Sequence, residues 1–356
     1  LGIKTAPIFL DVVLPAGISF YTFQSMSYTI DVYRREIKAE KSLLRYAVFV
    51  SLFPQLVAGP IVRGRDFLPQ LSVHPKISMG DLRLGWSLIF LGIAKKVLIA
   101  DQLAYLGVDH IFDNPTSFSS FDLLFALYGY AFQIYCDFSG YSDTAIGLAI
   151  IMGFRFPPNF NRPYLSQNPS EFWQRWHISL SSWLRDYLYI SMGGNRGGKT
   201  KTARNLMLTM LIGGLWHGAA MNFVLWGGFH GVILVLTRNL KSEVTFNWKY
   251  VRNVFLMFHV TLVGWLLFRI GSLNVGIDYL EGLASMTGGT ILSWQYFAVL
   301  FVAALLHFVP VHMGRSHYIE KSATAPVVLS SLFFAVSIAV LLGFSIYNKA
   351  FIYFQF

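Results

Sequence analysis

Charge is what this sequence has least of. Only 13% of its 356 residues are Asp, Glu, Lys or Arg, where a soluble globular domain carries about 25%. So few ionisable groups cannot coat a water-facing surface, which excludes a soluble enzyme and a disordered chain alike. Cysteine is nearly absent: Cys136 stands alone, which forbids an intrachain disulfide and any cysteine-based metal site. No His-x-x-x-His spacing takes its place, so metal ligation has no support. No pair of carboxylates points to glycoside chemistry. A signal-peptide pattern is lacking and the chain opens on Leu1, which reads as a fragment or a processed product whose beginning is missing. Clean internal repeats are also lacking, which counts against a transporter built on inverted repeats.

What is present is apolar bulk, 54% of residues, with 17% aromatic. The apolar runs are long and continuous rather than short and alternating, so they specify helices and not a β-barrel. The expectation is an all-α, polytopic integral membrane protein. A span needs roughly 20 apolar residues, and the clean candidates are 206–236, 253–268, 291–313 and 326–347. Earlier runs are interrupted: 8–30 by Asp11 and Pro15, 46–61 by Pro54, Gly59 and Pro60, 84–108 by Lys95 and Lys96. The run 121–156 carries a polar knot, Cys-Asp-Phe-Ser-Gly-Tyr-Ser-Asp, at 136–143. Polar irregularity at membrane depth survives only inside protein or against a wet cavity. The first half therefore predicts broken, re-entrant helices around something polar. Asp137, Ser139, Ser142 and Asp143 have no histidine near them and no nucleophile elbow, so they read as buried groups closing a helix break.

The longest polar stretch, 155–205, holds eight basic residues against two acids, +6 of the total +10. The positive-inside bias puts this loop in the cytoplasm, with Arg34, Arg35, Lys38, Lys41 and Arg45 on the same side. Within it, Asn168-Pro-Ser-Glu171 is a helix start: an Asn cap, Pro first, Glu three residues on. Trp173, Trp176, Leu180, Trp183, Leu184 and Tyr187 then recur at helical spacing. They predict one amphipathic helix at the interface or dipping into the protein. His177 falls on its apolar side.

Acid–base chemistry near neutral pH favours imidazole. His217 sits in Gly213-Gly-Leu-Trp-His-Gly218, inside an uncharged run, where an ionisable group is a functional candidate. The flanking glycines permit a break and close approach of a substrate or another backbone. His230 has a similar glycine setting but lies roughly 220° around a straight helix from His217, so the two share a site only if the run bends. His259 and His307 read as core or interface histidines, and His74, His110, His312 and His317 carry no signal. Gly193-Gly-Asn-Arg-Gly-Gly-Lys-Thr200 matches the letters of a phosphate loop. No nucleotide-domain context surrounds it, and a basic surface turn explains the same residues.

Seven stretches in order carry a likeness: Phe53-Pro-Gln-Leu-Val-Ala-Gly-Pro-Ile61, Tyr135-Cys-Asp-Phe-Ser-Gly-Tyr-Ser-Asp143, Asn159-Phe-Asn-Arg-Pro-Tyr164, Phe172-Trp-Gln-Arg-Trp-His-Ile-Ser-Leu-Ser181, Met192-Gly-Gly-Asn-Arg196, Gly214-Leu-Trp-His-Gly-Ala219 and Phe351-Ile-Tyr-Phe-Gln-Phe356. Together they resemble the bacterial membrane-bound O-acyltransferases (the MBOAT family), in particular the alginate O-acetyltransferase branch, over essentially the whole chain. Members of that family normally have further membrane segments before the region matching Leu1. The resemblance implies a single membrane domain over 1–356 in the bacterial inner membrane, moving an acyl group to hydroxyls of a cell-envelope polysaccharide. It implies His217 as the principal catalytic residue and His177 as its companion, and the glycine-rich turn as a cytoplasmic element. It implies acetyl-coenzyme A as ultimate donor rather than a permanently bound cofactor. A periplasmic acetyltransferase partner, surrounding lipid and no nucleic acid complete the expectation. The residues fit without it: a histidine in a dry site can take the proton of an attacking hydroxyl, and His177 can orient that base or stabilise charge on the collapsing carbonyl. D-alanyl transfer to teichoic acid and peptidoglycan O-acetylation are the alternatives within the class. A transporter or proton relay through His177 and His217 is the alternative outside it.

Overall fold

The computed structural model describes residues 17–308 and Gly343, and every regular element among them is helical. The run 326–347 (Gly343 apart), the closing motif 351–356, His312 and His317 lie outside the described residues, as do the start of the run 8–30 and the end of 291–313. Helix α1 (Ile18–Tyr33) is followed by α2 (Leu43–Ser51) and two single turns, Phe53–Leu56 and Gly64–Phe67. Pro54, Gly59 and Pro60 keep this region short and irregular, as the sequence predicts.

Helix α3 (Met79–Ala94) opens on a capping box. The Ser78 hydroxyl accepts from the Asp81 N–H at 3.1 Å and the Asp81 carboxylate accepts from the Ser78 N–H at 3.0 Å. The helix continues through two π-helical turns, Lys95–Ala100 and Ala104–Val108. Antiparallel to it runs α4 (Ser120–Ile151), 32 residues long. Glycines seven apart on each helix make the seam. A Cβ on Gly92 would stand 2.3 Å from the Gly140 carbonyl, and one on Gly147 would stand 2.5 Å from that of Gly85. Lipid is as apolar as leucine, so helices in a bilayer gain chiefly by such close van der Waals approach.

Two expectations fail here. The polar knot at 136–143 does not break its helix: α4 passes straight through it. Its carboxylates are satisfied sideways instead, Asp143 by Lys95 Nζ at 2.7 Å and Asp137 by Lys96 Nζ at 2.6 Å, with Lys96 also 2.9 Å from Asp101. Conversely, the uncharged run 206–236 is not one helix. The basic stretch before it contributes α5 (Pro169–Arg175) and α6 (Ile178–Trp183), and then α7 (Gly198–His217) and α8 (Met221–Thr237) fold back on each other as a hairpin. The glycines explain why: a Cβ on Gly214 would meet the Phe223 carbonyl at 2.2 Å, and one on Gly227 the Met210 carbonyl at 2.4 Å.

The amphipathic helix is also divided. Its start is as expected, with Asn168 Oδ1 accepting from the Glu171 N–H at 2.9 Å and Pro169 in the first turn. It breaks at Trp176 and His177, where His177 takes a left-handed conformation, φ 41° and ψ 56°. The stripe of Phe172, Trp176, Leu180, Trp183 and Tyr187 is buried inside the protein. Helices α9 (Trp248–Arg269), α10 (Leu273–Ala284) and α11 (Trp294–Phe308) complete the described part. Among the described residues α9 alone is long and apolar enough to cross a membrane. It buries Met257, Thr261 and Trp265 and leaves Phe255, Leu256 and Val263 exposed.

Candidate active site

His217 is the last residue of α7. Three aromatic rings meet its imidazole edge-on: Trp216 at 4.9 Å, Trp226 of α8 at 5.1 Å and Phe268 of α9 at 5.1 Å between centroids. Edge-to-face contacts on three sides fix the ring plane without consuming its nitrogens. A helix C-terminus also favours an imidazole that becomes cationic on accepting a proton.

The ring opens on a cavity of about 900 Å³. Lys199, Thr202, Leu206, Thr209, Met210, Gly213 and His217 all line it, and their three- and four-residue spacing puts them on one face of α7. At 1.5 Å per residue that face runs roughly 27 Å from Lys199 to His217. Opposite it stand Trp173, Leu180 and Leu184 from the divided helix, while Arg185 and Arg238 join Lys199 in giving the lining its positive charge. The arrangement is an apolar passage with cationic groups and one imidazole along its wall.

His177 lies outside that lining and is 1% exposed. Its ring is edge-on to Phe138 at 4.6 Å and lies 6.2 Å from Trp216, whose indole thus touches both histidines. A left-handed residue other than glycine costs about 1–3 kcal/mol, a strain usually held by over-determined surroundings at functional sites.

The bend in 206–236 brings His230 near: Trp226 lies 5.0 Å from its ring as well. Yet His230 is buried, parallel to Phe172, and only the missing side chain of Gly264 makes room for it, a Cβ there falling 2.6 Å from its Nε2. His259 uses both ring nitrogens, on the Tyr128 hydroxyl at 2.9 Å and the Phe255 carbonyl at 2.8 Å. His307 accepts the Tyr164 N–H at 3.2 Å. Both are core or interface histidines, as expected. The glycines beside His217 divide between the two uses their spacing suggests: Gly214 admits another backbone, at the Phe223 carbonyl, and of the pair only Gly213 lines the cavity.

The phosphate-loop letters form a turn, not a strand-to-helix loop, and no strand exists among the described residues. Gly193, Gly194 and Gly198 have positive φ, and buried Asn205 donates to the carbonyls of Met192 and Gly194 at 3.1 and 3.0 Å. The two basic clusters do meet: Arg34 donates to Ser191 Oγ at 2.6 Å. What the sequence did not disclose is the aromatic box, because Trp226 and Phe268 reach His217 from other helices.

Residues 34–255 match the family described as the membrane-bound O-acyltransferase family. The probable alginate O-acetylase AlgI of Pseudomonas aeruginosa is 47% identical over 81% of this chain and 54% of its own length. Its counterpart from Azotobacter vinelandii is 49% identical over 88% of this chain and 64% of its own length. The peptidoglycan O-acetyltransferase of Helicobacter pylori is 37% identical over 78% of this chain and 58% of its own length. The chain thus spans between half and two thirds of the length of these three relatives.

Proposed function

The chain belongs to the membrane-bound O-acyltransferase family, and on that premise we propose that it moves an acetyl group from a cytoplasmic thioester to hydroxyls of an extracytoplasmic, alginate-like polysaccharide. The observation that carries this reading is the cavity along one face of α7, with Lys199 and His217 on its wall. Cations suit an anionic donor at the entrance, and an apolar passage suits a thioester arm. Acetyl-coenzyme A has both properties. The relatives named alginate O-acetylase support the same acceptor class.

In the transfer, an acceptor hydroxyl attacks the thioester carbonyl. His217 takes the hydroxyl proton as the C–O bond forms, then returns it to the sulfur as the C–S bond breaks, so ester and thiol leave with no net proton change. The aromatic box holds the ring at one angle through both halves, and His177, packed on the other side of Trp216, orients that base. In this reading 155–205 and the basic segment near Arg34 face the cytoplasm of a multi-pass inner-membrane protein. The short segments after α1 are re-entrant, and a periplasmic acetyltransferase completes delivery to the polymer.

The test uses the full-length protein in lipid vesicles together with the periplasmic acetyltransferase, with alginate oligomers and isotope-labelled acetyl-coenzyme A. Acetyl esters on the oligomer that require His217 are the expected result. Transfer that proceeds only from a D-alanyl carrier protein, or solute uptake in place of ester formation, would overturn the assignment.

A further inference from the structure

We infer that Asn159 is a positioning residue for His177. The inference rests on the reading of His177 as the companion of His217. His177 stands at the start of α6 in the left-handed conformation, and its side chain does not cap that helix. Asn159 supports that conformation from a separate segment. Its carbonyl accepts the Ile178 N–H at 2.9 Å, and its Oδ1 accepts both the Ser179 N–H at 3.2 Å and the Ser179 hydroxyl at 2.9 Å. On the other side of the bend the Asn161 N–H donates to the Arg175 carbonyl at 2.9 Å. The chain at 159–161 therefore straps across 175–179, and His177 is the residue under the strap.

The strap is anchored in turn. Asn159 Nδ2 donates to Ser142 Oγ of α4 at 3.1 Å, and Ser179 Oγ accepts the Ile61 N–H at 3.0 Å. Asn159, Ser142 and Ser179 are 1%, 2% and 5% exposed. The amide offers an acceptor for Ser179 and a donor for Ser142 from one short side chain. A buried polar network satisfied in this way fixes one arrangement, and each lost member leaves others unpaired. The same helix α4 carries Phe138, the ring against which His177 rests. Asn159 thus ties the backbone of His177 to the helix that walls its side chain.

The test is a double-mutant cycle on the full-length protein in vesicles with the periplasmic acetyltransferase present, reading thiol release from acetyl-coenzyme A with alginate oligomers as acceptor. Asn159→Ala is expected to lower kcat about tenfold or more, the scale of a displaced catalytic group, with KM for acetyl-coenzyme A unchanged. Ser142→Ala, which removes only the outer anchor and keeps the test alive if Asn159→Ala misfolds, should lower kcat by a smaller factor. In a His177→Ala background neither substitution should lower the residual rate further. Equal proportional losses in both backgrounds would overturn the positioning role while leaving His177 in place. A His177→Ala rate close to wild type would overturn both, because the reading of His177 itself would have failed.

Discussion

Helices α3 and α4 meet across Gly85, Gly92, Gly140 and Gly147, while α7 and α8 meet across Gly214 and Gly227. The packing device is the same, and the polar content is opposite. The first pair holds Lys95, Lys96, Asp101, Asp137 and Asp143 in ion pairs of 2.6 to 2.9 Å. The second has an uncharged seam but ends in His217 at a cavity. A buried charge with its partner in place is a fixed part of the frame, and removing one partner costs far more than the pair contributes. The imidazole of His217 is walled by rings and opens on a passage. A buried polar group therefore marks a candidate site where it faces a cavity, and belongs to the frame where ion pairs close it in.

The largest effect expected is at His217. His217→Ala should cut acetyl transfer by roughly 10²–10⁴, the range for a positioned acid–base group, with the melting midpoint of the detergent-solubilised protein little changed. Lys96→Ala should do the reverse, destabilising the fold by about 3–5 kcal/mol by stranding two carboxylates while each folded molecule keeps its rate. Measuring both quantities on both variants checks the contrast. If Lys96→Ala folded normally and abolished transfer, the charged pair would belong to the chemistry and the comparison would break.

Next in size are the glycines. Gly92→Val and Gly214→Val place a side chain against a backbone carbonyl, and overpacking of this kind costs about 1–3 kcal/mol or more. Gly213→Val separates the two roles inside one motif. A Cβ there meets only Leu184 Cδ1 at 3.2 Å, and the residue lines the cavity. It should leave the melting midpoint near wild type and weaken acetyl-coenzyme A use, seen as a raised KM. A folding defect at Gly213 with none at Gly214 would reverse the assignment.

These glycines also mark where the sequence is legible and where it is not. Composition and the length of the apolar runs give the all-helical membrane class, and residue spacing places the Asn168 cap and the burial of Trp176, Leu180, Trp183, Leu184 and Tyr187, with Trp173 half-buried. Breaks are what it misplaces. A polar knot on one strand of sequence looks like an interruption because its cations, Lys95 and Lys96, lie about 45 residues away along the chain and one helix away in space. An uncharged run looks continuous because a glycine seam shows itself only when both halves of the hairpin are seen. His177 was placed on the correct face, but its left-handed backbone depends on Asn159, which no local pattern around His177 contains.

A smaller effect belongs to the start of α3, outside the apolar region. Hydrogen bonds from the Ser78 backbone and hydroxyl, then the Arg155 guanidinium, hold the Asp81 carboxyl down at about 2. Because the folded value lies below the unfolded one, about 3.9, the stabilisation is present above pH 4 and fades as pH falls toward 2. Solvent screening limits it to about 1 kcal/mol. Asp81→Asn should therefore lower the melting midpoint at pH 6, lower it less at pH 3, and converge with wild type only below pH 2. A difference that persists undiminished in acid would show that the charge of Asp81 is irrelevant to its cap.

The smallest effect is expected at Lys199, and it sharpens the comparison from the cationic side. A phosphate loop needs its lysine at one fixed position against the phosphates, and such a loop joins a strand to a helix. Here the residues before it form a π-helical turn, Leu184–Tyr189, and Asn205 pins the turn that follows from inside α7. What Lys199 contributes is a positive charge on the cavity lining, where Arg185 and Arg238 contribute the same. A surface cation of this kind survives exchange for another cation and acts through a screened field. Lys199→Arg should leave acetyl transfer nearly unchanged, and Lys199→Glu should raise KM for acetyl-coenzyme A by a few-fold at low salt, less at high salt. Binding of ATP that vanished in Lys199→Ala, measured by calorimetry on the full-length protein, would instead make the turn a nucleotide site and separate it from the chemistry at His217.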